Sequence, residues 1–168
     1  MFDKKRTDQR NALRASIDVR AFLRTTRVAE IMVTKVVSIK VDARFSEVPK
    51  KMKQSSVRHL PVVDANNKFV GLITQRDLYK IHSPRKLEDG SWYYDDEALN
   101  EFVLENVMLK NPGTLRPEDP VGDAIVFMVR GKYGCIPIVD KDQKLCGILT
   151  RSDILKMAAR IYDSKLFS

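Results

Sequence analysis

Leu60–Leu78 reads LPVVDANNKFVGLITQRDL, and the same design returns at Ile136–Ile154 as IPIVDKDQKLCGILTRSDI. Pro61 aligns with Pro137, Asp64 with Asp140, Gly71 with Gly147, Thr74 with Thr150 and Asp77 with Asp153, always at an offset of 76 residues. Each copy predicts a strand, a polar turn, a second strand and the first turn of a helix. Thr and Asp stand three apart at the strand-to-helix junction. A repeat of this kind is the first fact to establish, because it sets the architecture.

Working outward, residues 28–80 and 104–156 align without insertion and share ten identities, among them Met32 with Met108, Met52 with Met128 and Lys68 with Lys144. The first copy predicts a short strand over Val36–Val41. A helix follows, with Ser46 as N-cap, Pro49 in its first turn and its end near Gln54–Ser55. Strands are predicted over Val57–Asp64 and Phe69–Thr74, then a helix from Gln75 to Ile81. The order β-α-β-β-α occurs twice. This is an α+β class in which each open sheet has one bare face, so two units are expected to pack sheet to sheet about a pseudo-twofold axis. The helix predicted over Val121–Val129 contains Ala124, Ile125, Val126, Phe127 and Met128. That is more apolar surface than one face can hide, and it points to a homodimer.

Outside the repeats, residues 8–26 show helical spacing of Leu13, Ile17 and Ala21 with arginines on other faces. An N-terminal helix ending near Thr25–Thr26 is expected. The chain divides into a basic arm at 1–27, a first repeat at 28–82, an acidic aromatic linker at 83–103, a second repeat at 104–162 and a tail at 163–168. The arm holds eight basic and three acidic residues, whereas 83–106 holds two basic and seven acidic. The arm can meet nucleic acid, a membrane surface, a protein partner or the chain's own linker. In the linker, Ser83–Pro84 and Asp89–Gly90 are breakers and Asp95 or Asp96 caps a short helix through Phe102. Trp92-Tyr93-Tyr94 either anchors the linker to the body or offers a stacking surface.

The 168 residues allow one ordinary domain or two small ones, and 43% apolar residues suffice for a core. No apolar run approaches the roughly 20 residues of a membrane span. The first ten residues have no apolar stretch behind their basic ones, so no signal peptide is expected and the location expected is cytoplasmic. Cys135 and Cys146 fall about 10 Å apart along the second hairpin, too far for a disulfide, and are expected as buried reduced thiols. Two histidines, His59 and His82, without CxxC or HxxxH spacing, give no basis for a metal centre. His59 reads equally as a phosphate contact or a surface residue. With no nucleophile–base pair or phosphate-binding glycine loop, an enzyme is not expected.

The paired Ile31-Met32 and Val107-Met108, the hydrophobic-Pro-hydrophobic-hydrophobic-Asp strands, the following glycine and the Thr-x-x-Asp junctions resemble the CBS domain family, named for cystathionine β-synthase. Two copies in tandem resemble a Bateman module. The resemblance implies a regulatory module binding adenosine compounds, with AMP, ADP or ATP favoured over S-adenosylmethionine, in two clefts between the repeats. It assigns Thr150, Arg151, Ser152 and Asp153 with Lys35, Val37, Val57 and Arg58 to one cleft. To the other it assigns Thr74, Gln75, Arg76 and Asp77 with Asn111, Gly113, Tyr133 and Gly134.

The chemistry of those residue types suits such a ligand. A helix N-terminus offers unpaired N–H groups to a phosphate, and a threonine hydroxyl there can add a bond. A carboxylate can accept both ribose hydroxyls, and Arg58, Arg76 and Arg151 can give charge-assisted bonds to phosphate. Thr-x-x-Asp is also a variant of the capping box, which needs no ligand. The reading favoured is an adenine-nucleotide-sensing module, with the Asp153 cleft preferred for a charged nucleotide. The alternative is a nucleic-acid-binding protein working through its basic arm.

Overall fold

The computed structural model describes residues 19–81 and 85–162. Most of the expected N-terminal helix, the Ser83–Pro84 breaker and the tail at 163–168 lie outside the described residues. Residues 19–25 are helical (α1), and a 3-10 turn follows at Val28–Glu30. The first repeat continues with β1 (Ile39–Lys40), α2 (Glu47–Gln54), β2 (His59–Val63), β3 (Phe69–Thr74) and α3 (Gln75–Ile81). The linker forms β4 (Arg85–Lys86), β5 (Trp92–Tyr93) and α4 (Asp96–Asn100). The second repeat supplies α5 (Leu104–Val107), β6 (Leu109–Lys110), α6 (Val121–Gly131), β7 (Cys135–Val139), β8 (Leu145–Thr150) and α7 (Arg151–Tyr162).

The β-α-β-β-α order is present in both repeats. In the second, the counterpart of Ile39 is Leu115, which forms a single bridge residue rather than a strand. Backbone exceptions also repeat at the same offset. Ser56 and Lys132 end α2 and α6 at φ 53° and 54°, and Asn67 and Gln143 turn the hairpins at φ 64° and 62°. Ser46 occupies the N-cap of α2 but its side chain makes no capping bond; its N–H donates to Asn100 Oδ1 at 3.2 Å. Ser46 has αR backbone angles (φ −61°, ψ −18°), not the extended ones that aim an N-cap oxygen at the helix.

The chain clusters into two units that do not coincide with the repeats. Unit 2 takes Val33–Thr114 and Pro137–Ile148. Its sheet runs β1-β2-β3-β6, with β1 parallel to β2 and the other pairs antiparallel. Its buried cluster joins Phe45, Val48 and Met52 of α2 and its approach to Leu60, Val62 and Ile73 of the strands and Leu78 of α3, and closes with Leu99, Leu104 and Met108. Val48 and Met52 stand four apart, so one face of α2 meets the sheet. Gly71 is required where β3 meets β6, because a Cβ there would lie 2.5 Å from Met108 Sδ.

Within unit 2 the two repeats exchange contacts reciprocally. Leu109 pairs with Leu72, and Val33 bridges Ile148, which is the same pair with the repeats interchanged. Phe69 N–H donates to Gln143 O at 2.9 Å, and Leu145 N–H donates to Asn67 O at 3.2 Å. Lys68 bridges Lys144, its own counterpart. A local twofold relates these contacts.

Unit 1 takes the residues up to Met32, Leu115–Ile136 and those from Leu149 onward. Val28 N–H donates to Asp119 O, Ala29 N–H to Pro117 O and Val121 N–H to Thr26 O, tying the first repeat's entry segment to the start of α6. Gly122 lets α1 approach closely, since a Cβ there would be 3.1 Å from Leu23 O. Val121, Ala124 and Met128 bury one face of α6, while Val126 and Val129 remain 46% and 72% exposed. On α7, Met157 is buried and Leu155 is 69% exposed.

In the linker, β4 and β5 pair antiparallel around a turn in which Gly90 takes φ 85°. Asp95 Oδ1 caps α4, accepting from the N–H groups of Glu97 and Ala98. Tyr94 packs against the unit 2 core, while Trp92 and Tyr93 are exposed. Cys135 and Cys146 are not joined in a disulfide; the first is buried and the second half-buried, its S–H donating to Ile138 O. Among the described residues, no helix is long and apolar enough to cross a membrane.

Candidate functional site

Each Thr-x-x-Asp junction forms because a strand ends on Thr and a helix begins on the next residue. In unit 2, Asp77 Oδ2 accepts from Thr74 N–H at 3.0 Å and from Thr74 Oγ1–H at 2.6 Å. In unit 1, Asp153 Oδ2 accepts from Thr150 N–H at 2.9 Å and from Thr150 Oγ1–H at 2.6 Å. Both bonds run from Thr to Asp, so the hydroxyl proton is held by the carboxylate. Each Thr oxygen is left as an acceptor, and each carboxylate is fixed through one oxygen.

The second oxygen of each carboxylate faces a lysine one turn on. Lys80 lies 3.6 Å from Asp77 Oδ1 and Lys156 lies 3.9 Å from Asp153 Oδ1. These distances leave lone pairs on Oδ1 for further donors, such as a vicinal diol. Asp153 is the more enclosed, its side chain 9% exposed against 23% for Asp77. A rigid, enclosed acceptor is the better preorganised of the two.

Around Asp77, unit 2 places Gln75 at the start of α3 with its N–H on Arg58 O at 3.0 Å, while Arg76 is exposed. Asn111 takes the left-handed φ 44° and donates its N–H to Val70 O at 3.2 Å, with Gly113 exposed beyond it. Val70 precedes Thr74 by four residues, which sets Asn111 about 13 Å along β3 from the junction. Lys35 and Arg58 are exposed, and Val37 and Val57 are half-buried. His59 is half-buried at the start of β2, in register with Thr74.

Around Asp153, unit 1 brings Arg151 directly against Tyr133 and Gly134. Arg151 Nε donates to Tyr133 O at 2.9 Å, Nη2 to Lys132 O at 3.0 Å, and the Arg151 N–H to Gly134 O at 3.2 Å. The guanidinium therefore satisfies carbonyls at the left-handed end of α6, and its remaining N–H donors are what it has for a ligand. The Tyr133 ring stacks on Phe127 with centroids 5.1 Å apart, and a Cβ on Gly131 would collide with it. Ser152 is exposed. Among the described residues, no three His, Cys, Asp or Glu side chains converge as a metal site.

The CBS domain family model matches residues 28–83 and 104–160, two-thirds of the chain. The chain belongs to the CBS domain family. The two matches make it a tandem CBS pair, a Bateman module, of a family that is non-catalytic. It is 31% identical over 136 residues to the homoserine O-acetyltransferase of Methanohalobium evestigatum, covering 81% of this chain and 25% of that protein. The chain thus spans about a quarter of the length of that curated relative. Among solved structures, it is similar to the CBS domain of a CBS-domain-containing membrane protein from Sphaerobacter thermophilus, at 29% identity and TM-score 0.70, covering 88% of this chain and 96% of that one. It is also similar to the CBS domain pair of protein MJ0100, solved with 5'-methylthioadenosine and S-adenosyl-L-methionine. That likeness has 25% identity and TM-score 0.66, covering 80% and 97%.

Proposed function

We propose that this tandem CBS pair is a regulatory module that senses an adenosine ligand of the AMP, ADP or ATP class, with the Asp153 junction as its principal site. The observation that carries the reading is the locked carboxylate. Thr150 fixes one oxygen of Asp153, and the other keeps lone pairs that match the two hydroxyls of a ribose. The Arg151 N–H is taken by Gly134 O, and the next N–H groups at the start of α7, a helix of 12 residues, suit a phosphate beside it. Asp77 and α3 repeat the arrangement in a more open setting. The similarity to a CBS pair solved with 5'-methylthioadenosine and S-adenosyl-L-methionine supports the adenosine part of this reading. Neither compound carries a phosphate, so the preference for a nucleotide rests on the helix N-terminus.

Regulation requires that ligand favour one arrangement of the protein over another. The exposed Val126, Val129 and Leu155 of unit 1 support a homodimer through α6 and α7. The nucleic-acid reading rests on the basic arm, most of which lies outside the described residues.

Calorimetric titration with AMP tests the assignment. Asp153→Ala should abolish the higher-affinity event, and Asp77→Ala should remove a weaker one. Asp153→Asn, which keeps an acceptor for Thr150, should still weaken AMP at least tenfold while melting close to the parent protein. Unchanged AMP affinity in both alanine variants would overturn the site. Native mass spectrometry of the purified protein would report bound nucleotide and subunit number together.

A further inference from the structure

Unit 2 holds a cavity of about 900 Å³ that is built largely from residues outside the junctions. It opens between α2, α3 and the linker strand β5. Met52, Val57 and Leu78 form an apolar floor, and Tyr79, Trp92, Tyr93 and Tyr94 line its sides. Three of these aromatics are unusually open to solvent for their size: Tyr79 at 54%, Trp92 at 59% and Tyr93 at 39%. Exposed aromatic rings scattered singly need no explanation, but rings converging on one apolar cavity mark a binding surface. The volume falls within the range of small-molecule sites, which are typically aromatic-lined with a few charged groups.

The charges at this cavity are unequal. Lys50, Lys53, Arg58 and Asp96 line it, and Lys50 is paired with Asp96. Lys53 and Arg58 have no ion pair among the described residues. One ion pair and two free cations remain above an apolar floor. Burial and the neighbouring Tyr79 hold the Tyr94 hydroxyl above its ordinary titration range. Lys86 sits 5.9 Å from the centre of the Trp92 ring and steadies it.

We propose that this cavity is a second ligand site, taking a flat aromatic compound that carries an acidic group. The ring lies on Met52, Val57 and Leu78 between the tyrosines and Trp92, where stacking and apolar burial act together. The acid group meets Lys53 and Arg58 at the rim. The linker hairpin, which no repeat requires, supplies the wall that makes the site. Gln75, which opens α3 beside the Asp77 junction, also lines this cavity, so within unit 2 the cavity adjoins that junction through α3.

Trp92 is the single tryptophan of the chain, which makes its emission a direct reporter. The probes are 8-anilinonaphthalene-1-sulfonate and N-phenyl-1-naphthylamine, the same ring system without the sulfonate. The sulfonate should quench Trp92 in a saturable, one-to-one titration and bind at least tenfold more tightly than the neutral amine. Lys53→Glu should erase that difference while leaving the amine unchanged, and Tyr79→Ala should weaken both. Both side chains are exposed, so neither variant threatens the fold. Quenching that fails to saturate, or that ignores both substitutions, overturns the site. Complete competitive displacement by AMP would assign the cavity to the nucleotide site and overturn its independence. Loss of sulfonate binding as protein concentration drives dimer formation would assign the cavity to a second copy and overturn the ligand reading. AMP binding measured by calorimetry in the same variants keeps failure here distinct from failure of the adenosine reading.

Discussion

Asp64 and Asp140 hold the two hairpin turns by the same local bonds. Each folds its carboxylate onto the hairpin turn that follows: Asp64 Oδ1 accepts from the N–H groups of Asn66 and Lys68, and Asp140 Oδ1 from those of Asp142 and Lys144. This local bond is why the turn composition was readable. The Thr-x-x-Asp junction was readable as a position but not in its bonding. The same spacing permits Thr to accept from the helix or donate to Asp, and only geometry shows that it donates. Cys135 offers a test at the same scale. Burial pushes its thiol up to about 12. Below about pH 9 the thiol keeps its proton whether the chain is folded or not. Above that the unfolded thiol ionises while the folded one does not, so stability falls as pH rises and levels off near pH 12. Between pH 8 and pH 10.5 this contributes a loss of about 2 kcal/mol. Urea unfolding at the two pH values should show a loss smaller by that amount in Cys135→Ala than in the parent.

At the scale of elements, legibility followed pattern strength. α3 and β3 fall over the expected residues because period-2 and period-3.6 spacing change at Thr74. The β4–β5 pair carried no such signal, since two-residue strands reading Arg-Lys and Trp-Tyr contain no alternation. The three aromatics accordingly divide their roles. Tyr94 anchors the linker to the core and lines the cavity from there, while Trp92 and Tyr93 line it from the solvent side. Two adjacent aspartates in the linker carry different loads, although each has an exposed ion pair, Asp95 with Arg85 Nη1 at 3.8 Å and Asp96 with Lys50. Asp95 caps α4 with two backbone bonds, and Asp96 pairs with Lys50 across a half-exposed surface. Asp95→Ala should lower stability by about 1 kcal/mol, whereas Asp96→Ala should cost less than about 1 kcal/mol and vary with salt. Chemical denaturation of both variants at low and high salt checks the contrast.

For the whole molecule, the offset of 76 residues identified equivalent positions but not which copy each segment packs against. That choice belongs to tertiary contact. Leu104 and Met108, which open the second repeat, are buried in the core of unit 2 beside α2, and Val28, which opens the first, is bonded to the approach of α6 in unit 1. A fragment ending at residue 82 therefore lacks the α5 and β6 segments that complete its own sheet and core. Fragments 1–82 and 83–168 should each be largely unfolded alone by circular dichroism and regain cooperative melting when mixed. Cooperative melting of either fragment alone would contradict the exchange.

The same partition has a mechanical consequence. Residues 19–32 and the α7 segment both belong to unit 1, while unit 2 enters the chain as two insertions between them. Tension applied between α1 and α7 is borne first by the contacts of unit 1. The sheet of unit 2 and its aromatic cavity stay shielded from load until unit 1 gives way.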